Sequence, residues 1–403
     1  MRWLVLGLVV WKGFPSVIPL AGQDQRLPYE EHYGDNLLYL HALVGYEFDL
    51  WNDFEWERRR VAANSLRLSY GSVDTRELLT DADLRINQPL GGGWLFLGHY
   101  RDYASLHLQL RQQDFWVGFE KYLSSSLSAF LRVNPLPDKE LMDGELGLSL
   151  SGAGRERYLR LALRLDDFNY DLKNHLGGTS ERSPLGVRWL LRTGRGSLWI
   201  TSEGRWGRGF FRKYEDPSKS PDLRSFGQEE SQARLRLFYR RVSRWLLELS
   251  GYHYRFSESK SFQGADGAAY RYRNRISVLA LRYALNPGAG HGLRLGIQRV
   301  WQGAEANGSR DFGYHRREWL PSATYTFTRG DHALDLGYMG SLYDWDFHDR
   351  GGFGSYRADD MTEKVKVGYT YHFSERGSLH ISVSHVFSFF GFGGGNVQFT
   401  LGF

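Results

Sequence analysis

Apolar and polar residues alternate with a period of two in many separate segments of this chain. In YLRLALRL, residues 158–165, every second residue from Leu159 is a leucine, and arginine or alanine lies between them. The same alternation runs through QARLRLFYR at 232–240 and KVKVGYTYHF at 364–373. Successive side chains of a β-strand point to opposite faces, so each segment predicts an amphipathic strand of about ten residues.

The connections between these segments are of two kinds, which alternate from about residue 124 onward. Short turns such as GAGRE at 152–156 and GRG at 194–196 are followed by long polar stretches such as RKYEDPSKSPDLRSFGQEE and DFHDRGGFGSYRADD. A soluble sandwich has no reason to keep this order. A membrane barrel has short turns at its periplasmic end and long loops at its outer end. The rhythm therefore favours a transmembrane antiparallel up-and-down β-barrel.

Aromatic residues occur on the apolar face next to the short turns. Tyr325 and Phe327 precede one such turn, Tyr371 and Phe373 precede another, and Phe403 ends the chain. Aromatic side chains collect at the boundary between hydrocarbon and water. Aromatics are also common in strands of every kind. Their position beside the turns favours an interfacial belt at the periplasmic end.

The first 21 residues, MRWLVLGLVVWKGFPSVIPLA, form an apolar block with Arg2 near its start. We interpret residues 1–22 as a secretory signal peptide removed on export. An uncleaved anchor is the alternative, because Lys12 interrupts the block. Residues 23–36 form a polar lead-in, which we expect in the periplasm, and residues 37–403 contain the strands. Elsewhere no run reaches the roughly 18 apolar residues that a membrane-spanning helix needs.

Composition excludes several kinds of site. The chain has no cysteine, which rules out disulfides, thiolate metal sites, cysteine nucleophiles and covalently attached c-type haem. Its 47 glycines and 11 prolines suit many strands joined by tight hairpins. The arginines alternate with leucines along strands and do not cluster on a helix, so the basic charge does not indicate nucleic-acid binding.

The chain ends in NVQFTLGF, in which Val397, Phe399, Leu401 and Phe403 are apolar at every second position. This ending resembles that of the outer-membrane β-barrel proteins of Gram-negative bacteria, and the resemblance extends over about residues 36–403. In that family the terminal phenylalanine and the alternating residues before it are a signal for the barrel-assembly machinery. The resemblance implies location in the outer membrane, contact with its lipid and interaction with that machinery. It identifies no subfamily.

The number of strands follows from the need to close the sheet. Backbone groups in hydrocarbon must all find partners, so the last strand must pair with the first. About nineteen candidate segments are present, but two periplasmic ends require an even number. We predict 18 strands, with 16 or 20 as alternatives, and the uncertainty lies in residues 37–123. An interior of that width is too large for side chains to fill and should hold water.

The face opposite the apolar residues predicts which side chains line the interior. Basic residues outnumber acidic ones on this face, and they are densest between residues 158 and 240. A basic lining concentrates anions and holds back cations. The same arginines could instead pair with acids and brace the barrel. The predicted pore-lining residues are Arg160, Arg164, Arg188, Arg192, Arg205, Arg234, Arg236, Arg240, Arg294, Lys364 and Lys366.

Three functions remain open from the sequence. The first is a pore for solutes or a polymer, preferentially anionic. The second is a barrel that sheathes a multihaem cytochrome in an electron conduit, in which case a periplasmic or lumenal protein is the partner. The third is a barrel-embedded hydrolase, but His380, Ser382 and Ser384 simply share one polar face of a strand. We predict a pore that is not an enzyme and needs no cofactor, metal or nucleic acid.

Overall fold

The computed structural model describes residues 64–72, 78–105, 110–135, 143–152, 157–165, 179–181, 186–213, 223–241, 245–262, 269–288, 290–307, 312–349, 354–387 and 391–403. They all belong to one compact unit, Leu50–Phe403. The predicted signal peptide, the lead-in and residues 37–63 of the predicted barrel lie outside the described residues. Among the described residues, no helix is long and apolar enough to cross a membrane.

The described chain consists of β-strands joined by turns. The strands are β1 (Ser65–Ser72), β2 (Leu78–Gly91), β3 (Trp94–Ser105), β4 (Leu110–Tyr122), β5 (Leu127–Asn134), β6 (Asp143–Ser151), β7 (Tyr158–Leu165), β8 (Thr179–Glu181), β9 (Gly186–Arg195), β10 (Leu198–Lys213), β11 (Leu223–Arg241), β12 (Trp245–Phe262), β13 (Ala269–Gly288), β14 (His291–Asn307), β15 (Phe312–Arg329), β16 (His332–Asp349), β17 (Gly354–Ser374), β18 (Gly377–Val386) and β19 (Gly391–Gly402).

Strands that follow one another pair antiparallel, and the sheet closes on itself. Residues Ser65–Ser72 of β1 pair with Gly402–Gly395 of β19. The short β8 and β9 both pair with β10, β8 opposite Phe211 and β9 opposite Trp206, so together they occupy one position in the barrel. The segments therefore form a closed barrel of 18 strands. The predicted fold class and the preferred strand number are confirmed.

The alternating sequence places apolar side chains on the outside of this barrel. On β7, Leu161 and Leu163 are exposed on the outer face, whereas Ala162 between them is buried. The same holds on β13, where Leu279 and Leu281 are exposed and Ala280 is buried. Large apolar side chains exposed in such numbers are unfavourable in water but match hydrocarbon. The outer face therefore has the character of a lipid-facing surface.

Strand length differs from the sequence-based expectation of about ten residues. β1, β5 and β7 have 8 residues each, but β13 has 20 and β17 has 21. Parts of the stretches interpreted as long loops are strand, including Gly354–Ala358 of β17. The reason is that backbone pairing needs no apolar face. A hairpin can continue beyond the hydrocarbon with polar side chains on both faces.

Several short turns depend on glycine. Gly290 has a φ of 81° between β13 and β14, a conformation that residues with a Cβ rarely adopt. A Cβ at this position would lie 1.9 Å from the carbonyl oxygen of Thr328. The backbone amide of Thr328 donates to the carbonyl oxygen of Gly290, with an N to O distance of 2.6 Å. This turn therefore fixes the neighbouring β15 as well as its own hairpin.

Candidate functional site

The inward-facing surface is the set of side chains opposite the exposed apolar ones. This surface is continuous around the barrel, because each inward residue pairs with an inward residue of the neighbouring strand. Ion pairs show that this face is concave. Arg160 of β7 lies 2.6 Å from Glu120 of β4, and Arg188 of β9 lies 3.3 Å from Glu145 of β6. Side chains on strands that are not adjacent can meet only on the inside of a curved sheet.

One cluster of ion pairs lies on β1 to β3. Asp81 accepts from Arg67 at 2.7 Å and from Arg101 at 3.1 Å. Asp83 accepts from Arg85 at 3.0 Å, and His99 Nε2 lies 3.3 Å from its other oxygen. Each carboxylate thus holds side chains from two strands. Charge-assisted hydrogen bonds of this type fix the direction of a guanidinium.

A second cluster lies on β4 to β9. Glu145 is fully buried and contacts Arg132 and Arg188, while Asp143 lies 3.5 Å from Arg164. Aromatic rings pack against arginines of this cluster. The ring centroid of Trp116 lies 4.9 Å from the guanidinium carbon of Arg132 and 5.6 Å from that of Arg164. The ring centroid of Phe130 lies 4.1 Å from the guanidinium carbon of Arg160. These stacked contacts hold the guanidinium planes against the barrel.

Acidic and basic side chains of these clusters lie at different depths. The Arg188 side chain is 48% exposed and its partner Glu145 is 0% exposed. The Arg85 side chain is 47% exposed and Asp83 is 5% exposed. Carboxylates are short and stay near the backbone, whereas arginine extends past them. Two pairs are exceptions: Asp81 is 17% exposed and its partner Arg67 10%, and Glu203, which lies 3.6 Å from Arg234, is 52% exposed. In pairs such as Arg160 with Glu120 and Arg164 with Asp143, the guanidinium is the more exposed group.

The predicted pore-lining residues all lie at inward positions of the register. Arg188 is opposite Arg205, and Arg236 is opposite Thr201. For Arg240 only the backbone position in β11 is described. The others lie on β7 (Arg160, Arg164), β9 (Arg188, Arg192), β10 (Arg205), β11 (Arg234, Arg236), β14 (Arg294) and β17 (Lys364, Lys366).

On the side of the barrel formed by β14 to β18, hydroxyl groups connect many of the inward side chains, including charged ones. Arg294 donates to the hydroxyl of Thr326 at 3.2 Å, and that hydroxyl donates to Asp335. Thr370 and the Nδ1 of His380 are 2.8 Å apart. His380 thus has a hydroxyl neighbour on the next strand, and this arrangement braces the barrel.

Sequence reasoning missed several inward charged residues, of which Arg101, Asp143, Arg282 and Arg316 take part in ion pairs. Arg282 contacts the buried Glu248 at 3.4 Å, and Arg316 contacts Glu318 at 2.9 Å. Arg282 could have been found, because it lies between the outward Leu281 and Tyr283. Arg101 was harder to find, because both faces are apolar at the start of β3, with Leu95 and Leu97 on one face and Trp94 and Phe96 on the other.

The outer face carries the predicted aromatic residues near the short turns. Tyr325, Phe327, Tyr371, Phe373 and Phe403 are all exposed there. Histidines at the start of the preceding strands add to this belt: Nδ1 of His291 on β14 lies 2.5 Å from the hydroxyl of Tyr325 on β15. A hydroxyl and an imidazole at this height suit the boundary between hydrocarbon and water.

The terminal segment closes the barrel. Val397, Phe399 and Leu401 of β19 pair with Tyr70, Leu68 and Leu66 of β1. The backbone amide of Phe403 donates to the carbonyl of Asn64 at 3.1 Å. Phe399 also stacks on Phe373, with ring centroids 5.7 Å apart. The residues expected to form the assembly signal therefore occupy the closing seam.

Comparisons with known proteins give structural neighbours only. No protein-family model and no curated protein sequence matches the chain. The trimer form of OmpT, an outer membrane protein of Vibrio cholerae, shares 11% identity over 84% of this chain and 96% of its own, with a TM-score of 0.39. Pseudomonas aeruginosa OccK10 (OpdN) shares 13% over 85% and 98%, with a TM-score of 0.40. A bacterial polysaccharide outer membrane secretin shares 8% over 85% and 99%, with a TM-score of 0.39. Similarity at this level gives no information on substrate or mechanism.

The geometry settles the class of protein. The sheet closes on itself, because its first strand pairs with its last. Its outer face is apolar with aromatic residues at the edge, and its inner face is charged. This combination lets strands cross a bilayer without unpaired backbone groups. The described strands therefore form a transmembrane β-barrel of the outer-membrane type.

Proposed function

We propose that this barrel is a pore that passes anionic solutes, or an anionic polymer, through its charged interior, and that it is not an enzyme. A barrel of 18 strands is too wide for its own side chains to fill. The side chains that face inward are predominantly polar or charged. They favour water in the interior and a path for hydrophilic solutes.

The observation that carries the preference for anions is the difference in depth between acids and arginines. Buried carboxylates such as Glu145 and Asp83 lie behind more exposed arginines, here Arg188 and Arg85. Pairing removes much of the net charge, but it leaves the positive ends nearest the path of a solute. The local potential that an ion meets is therefore more positive than the composition suggests.

Arginine is also suited to contact the charged groups of such solutes. Its planar guanidinium presents parallel N–H donors that match carboxylate and phosphate oxygens. Arg192 is exposed, and its guanidinium carbon lies 5.2 Å from the ring centroid of Trp199. A ring behind the guanidinium keeps it directed away from the strand. Arg188 and Arg192 on β9 are thus the pair that we propose an anion meets.

The proposal is tested by the ion selectivity of the purified protein in planar bilayers. Under a salt gradient, the reversal potential should indicate that chloride passes more readily than potassium. The variant Arg188→Gln with Arg192→Gln should lower the anion-to-cation permeability ratio by about twofold or more, because two interior charges are removed. Arg195→Gln removes an exposed charge from the last residue of β9, next to a short turn, and is the control, which should change the ratio much less. A cation-selective or non-conducting wild type would overturn the proposal.

A further inference from the structure

Six arginines lie on the outer face of β12 to β15, above the exposed leucines. We name them the outer arginine patch: Arg255, Arg271, Arg273, Arg275, Arg299 and Arg317. Alternation places them on the lipid-facing side. Arg255 is on the same face of β12 as Leu249, and Arg275 is on the same face of β13 as Leu281. They take no part in the charged interior surface.

The distance along each strand places this patch at the outer edge of the hydrocarbon. A transmembrane strand crosses the bilayer in about 9–11 residues. Arg255 follows the first residue of β12, Trp245, by ten positions. Arg317 precedes Phe327, in the periplasmic aromatic belt, by ten positions. Both guanidiniums therefore lie where the outer leaflet changes from acyl chains to headgroups.

Tryptophans mark the same boundary. The guanidinium carbon of Arg299 lies 4.7 Å from the ring centroid of Trp319 and 5.6 Å from that of Trp301. Both indoles are exposed on the outer face. Tryptophan prefers the interface between acyl chains and headgroups, and arginine near this height directs its charge toward the headgroups. The patch and the two rings together form a surface that is apolar below and cationic above.

The positive charge of the patch is only partly balanced by acidic residues on neighbouring strands. Arg255 pairs directly with Arg275 in the register of β12 and β13. Like charges directly opposite each other in a sheet are destabilising. Glu305 is opposite Arg273, and Asp344 of β16 is opposite Arg317. The ion pairs found among the described residues involve other arginines, in the interior. A bound anion would relieve the repulsion between Arg255 and Arg275.

We propose that the outer arginine patch binds the phosphate groups of an outer-leaflet glycolipid, the lipopolysaccharide of the membrane in which the barrel lies. Guanidinium groups bind phosphate through paired, charge-assisted hydrogen bonds. The exposed leucines and tryptophans below the patch contact the acyl chains of the same molecule. A lipid fits better than a soluble anion, because the apolar and cationic surfaces are continuous along β12 to β15.

The test counts lipid molecules bound to the purified full-length protein by native mass spectrometry. The patch variant carries Arg255→Gln, Arg275→Gln and Arg317→Gln. The matched control carries Arg195→Gln, Arg329→Gln and Arg376→Gln, which remove three exposed arginines beside short turns at the opposite end. Wild type and control should bind lipopolysaccharide. The patch variant should bind it about tenfold more weakly or worse, since tenfold corresponds to about one charge-assisted hydrogen bond.

Two further measurements separate the sources of phosphate and guard against misfolding. Wild type should bind enzymatically dephosphorylated lipopolysaccharide much more weakly, a comparison that does not depend on the folding of any variant. Inorganic phosphate at millimolar concentration should not displace the intact lipid; displacement would indicate a free-anion site and overturn the proposal. Equal binding by all three proteins, or equal binding of the dephosphorylated lipid, would also overturn it. Single-channel conductance of the patch variant should equal that of wild type, because the patch lies outside the interior.

Discussion

Nη2 of Arg160 on β7 lies 2.6 Å from Oε2 of Glu120 on β4, although β5 and β6 run between them. The contact spans three inter-strand spacings, which only the concave side of a strongly curved sheet permits. The same arginine lies over the ring of Phe130 on β5. Interior charges therefore connect strands that share no backbone hydrogen bonds, and they brace the barrel as well as line it.

Glu145 should be the most sensitive acid of the interior. Glu145→Gln leaves Arg132 and Arg188 without the buried carboxylate that they share, and breaking a buried pair costs about 3 kcal/mol or more in the free energy of unfolding. Glu203→Gln removes a carboxylate that is half exposed, so the expected change is within about 0.5 kcal/mol. Urea unfolding in lipid vesicles, followed by tryptophan fluorescence, measures both. If the two variants lose similar amounts of unfolding free energy, the burial of the carboxylate does not determine how much its ion pairs stabilise the barrel.

Gly118 should be irreplaceable where β4 approaches β5. A Cβ there would lie 2.1 Å from the carbonyl oxygen of Leu131 and 2.5 Å from the Cα of Arg132, both backbone atoms. We expect Gly118→Ala to destabilise the barrel by about 1–3 kcal/mol, because the strands must separate. Gly251 on β12 has no atom within 4 Å of such a Cβ, so Gly251→Ala should fold normally. The folded fraction is read from gel mobility with and without heating.

Closure of the sheet can be tested by a disulfide between its first and last strands. Ser69 of β1 is opposite Gln398 of β19, and His380 of β18 lies one strand beyond Gln398. Because the chain has no cysteine, Ser69→Cys with Gln398→Cys should form one disulfide on mild oxidation. Ser69→Cys with His380→Cys should not, since Cα atoms more than about 7 Å apart cannot be bridged. Equal cross-linking of both pairs would argue against the observed register.

Phe403 should act in assembly through its side chain. Phe403→Ala keeps the backbone hydrogen bond to Asn64, so its effect on the seam is limited to the exposed ring. If the barrel-assembly machinery recognises the terminal aromatic, the amount of folded protein in the outer membrane should fall severalfold. Phe327→Ala removes a ring from the same aromatic belt and is the control, with little expected change. If both variants reduce the amount of folded protein equally, Phe403 acts only as a residue of the aromatic belt and not as an assembly signal.

The fold was predictable because each of its requirements leaves a pattern in the sequence. Alternation determines which residues face lipid, and closure requires an even strand number. The observed barrel has 18 positions because β8 and β9 share one, but the doubt in the predicted count lay in residues 37–123, of which 37–63 lie outside the described residues. The lengths of β11 to β17 were not predictable, because hairpins outside the membrane lose the apolar signal while the backbone continues to pair.

The interior was predictable by position but not by partner. The alternation of apolar and polar residues placed Arg160, Arg188 and Glu145 on the inward side. The contacts between strands that are not adjacent depend on the curvature of the sheet, which no local sequence pattern encodes. The depth of each charge follows from side-chain length and from the aromatic residues nearby. Trp116 and Phe130 support the arginines from inward positions, where the alternating pattern alone predicts polar residues.

Water and lipid accessibility along β7 tests the central claim most directly. Single cysteines introduced at each position of Tyr158–Leu165, in a chain that has none of its own, can carry a spin label in lipid vesicles. Labels at Leu159, Leu161 and Leu163 should be accessible to dissolved oxygen from the lipid, and labels at Arg160, Ala162 and Arg164 to a water-soluble relaxation agent. The two profiles should alternate out of phase with a period of two. Uniform access to the water-soluble agent along the strand would contradict a lipid-embedded barrel with a charged interior.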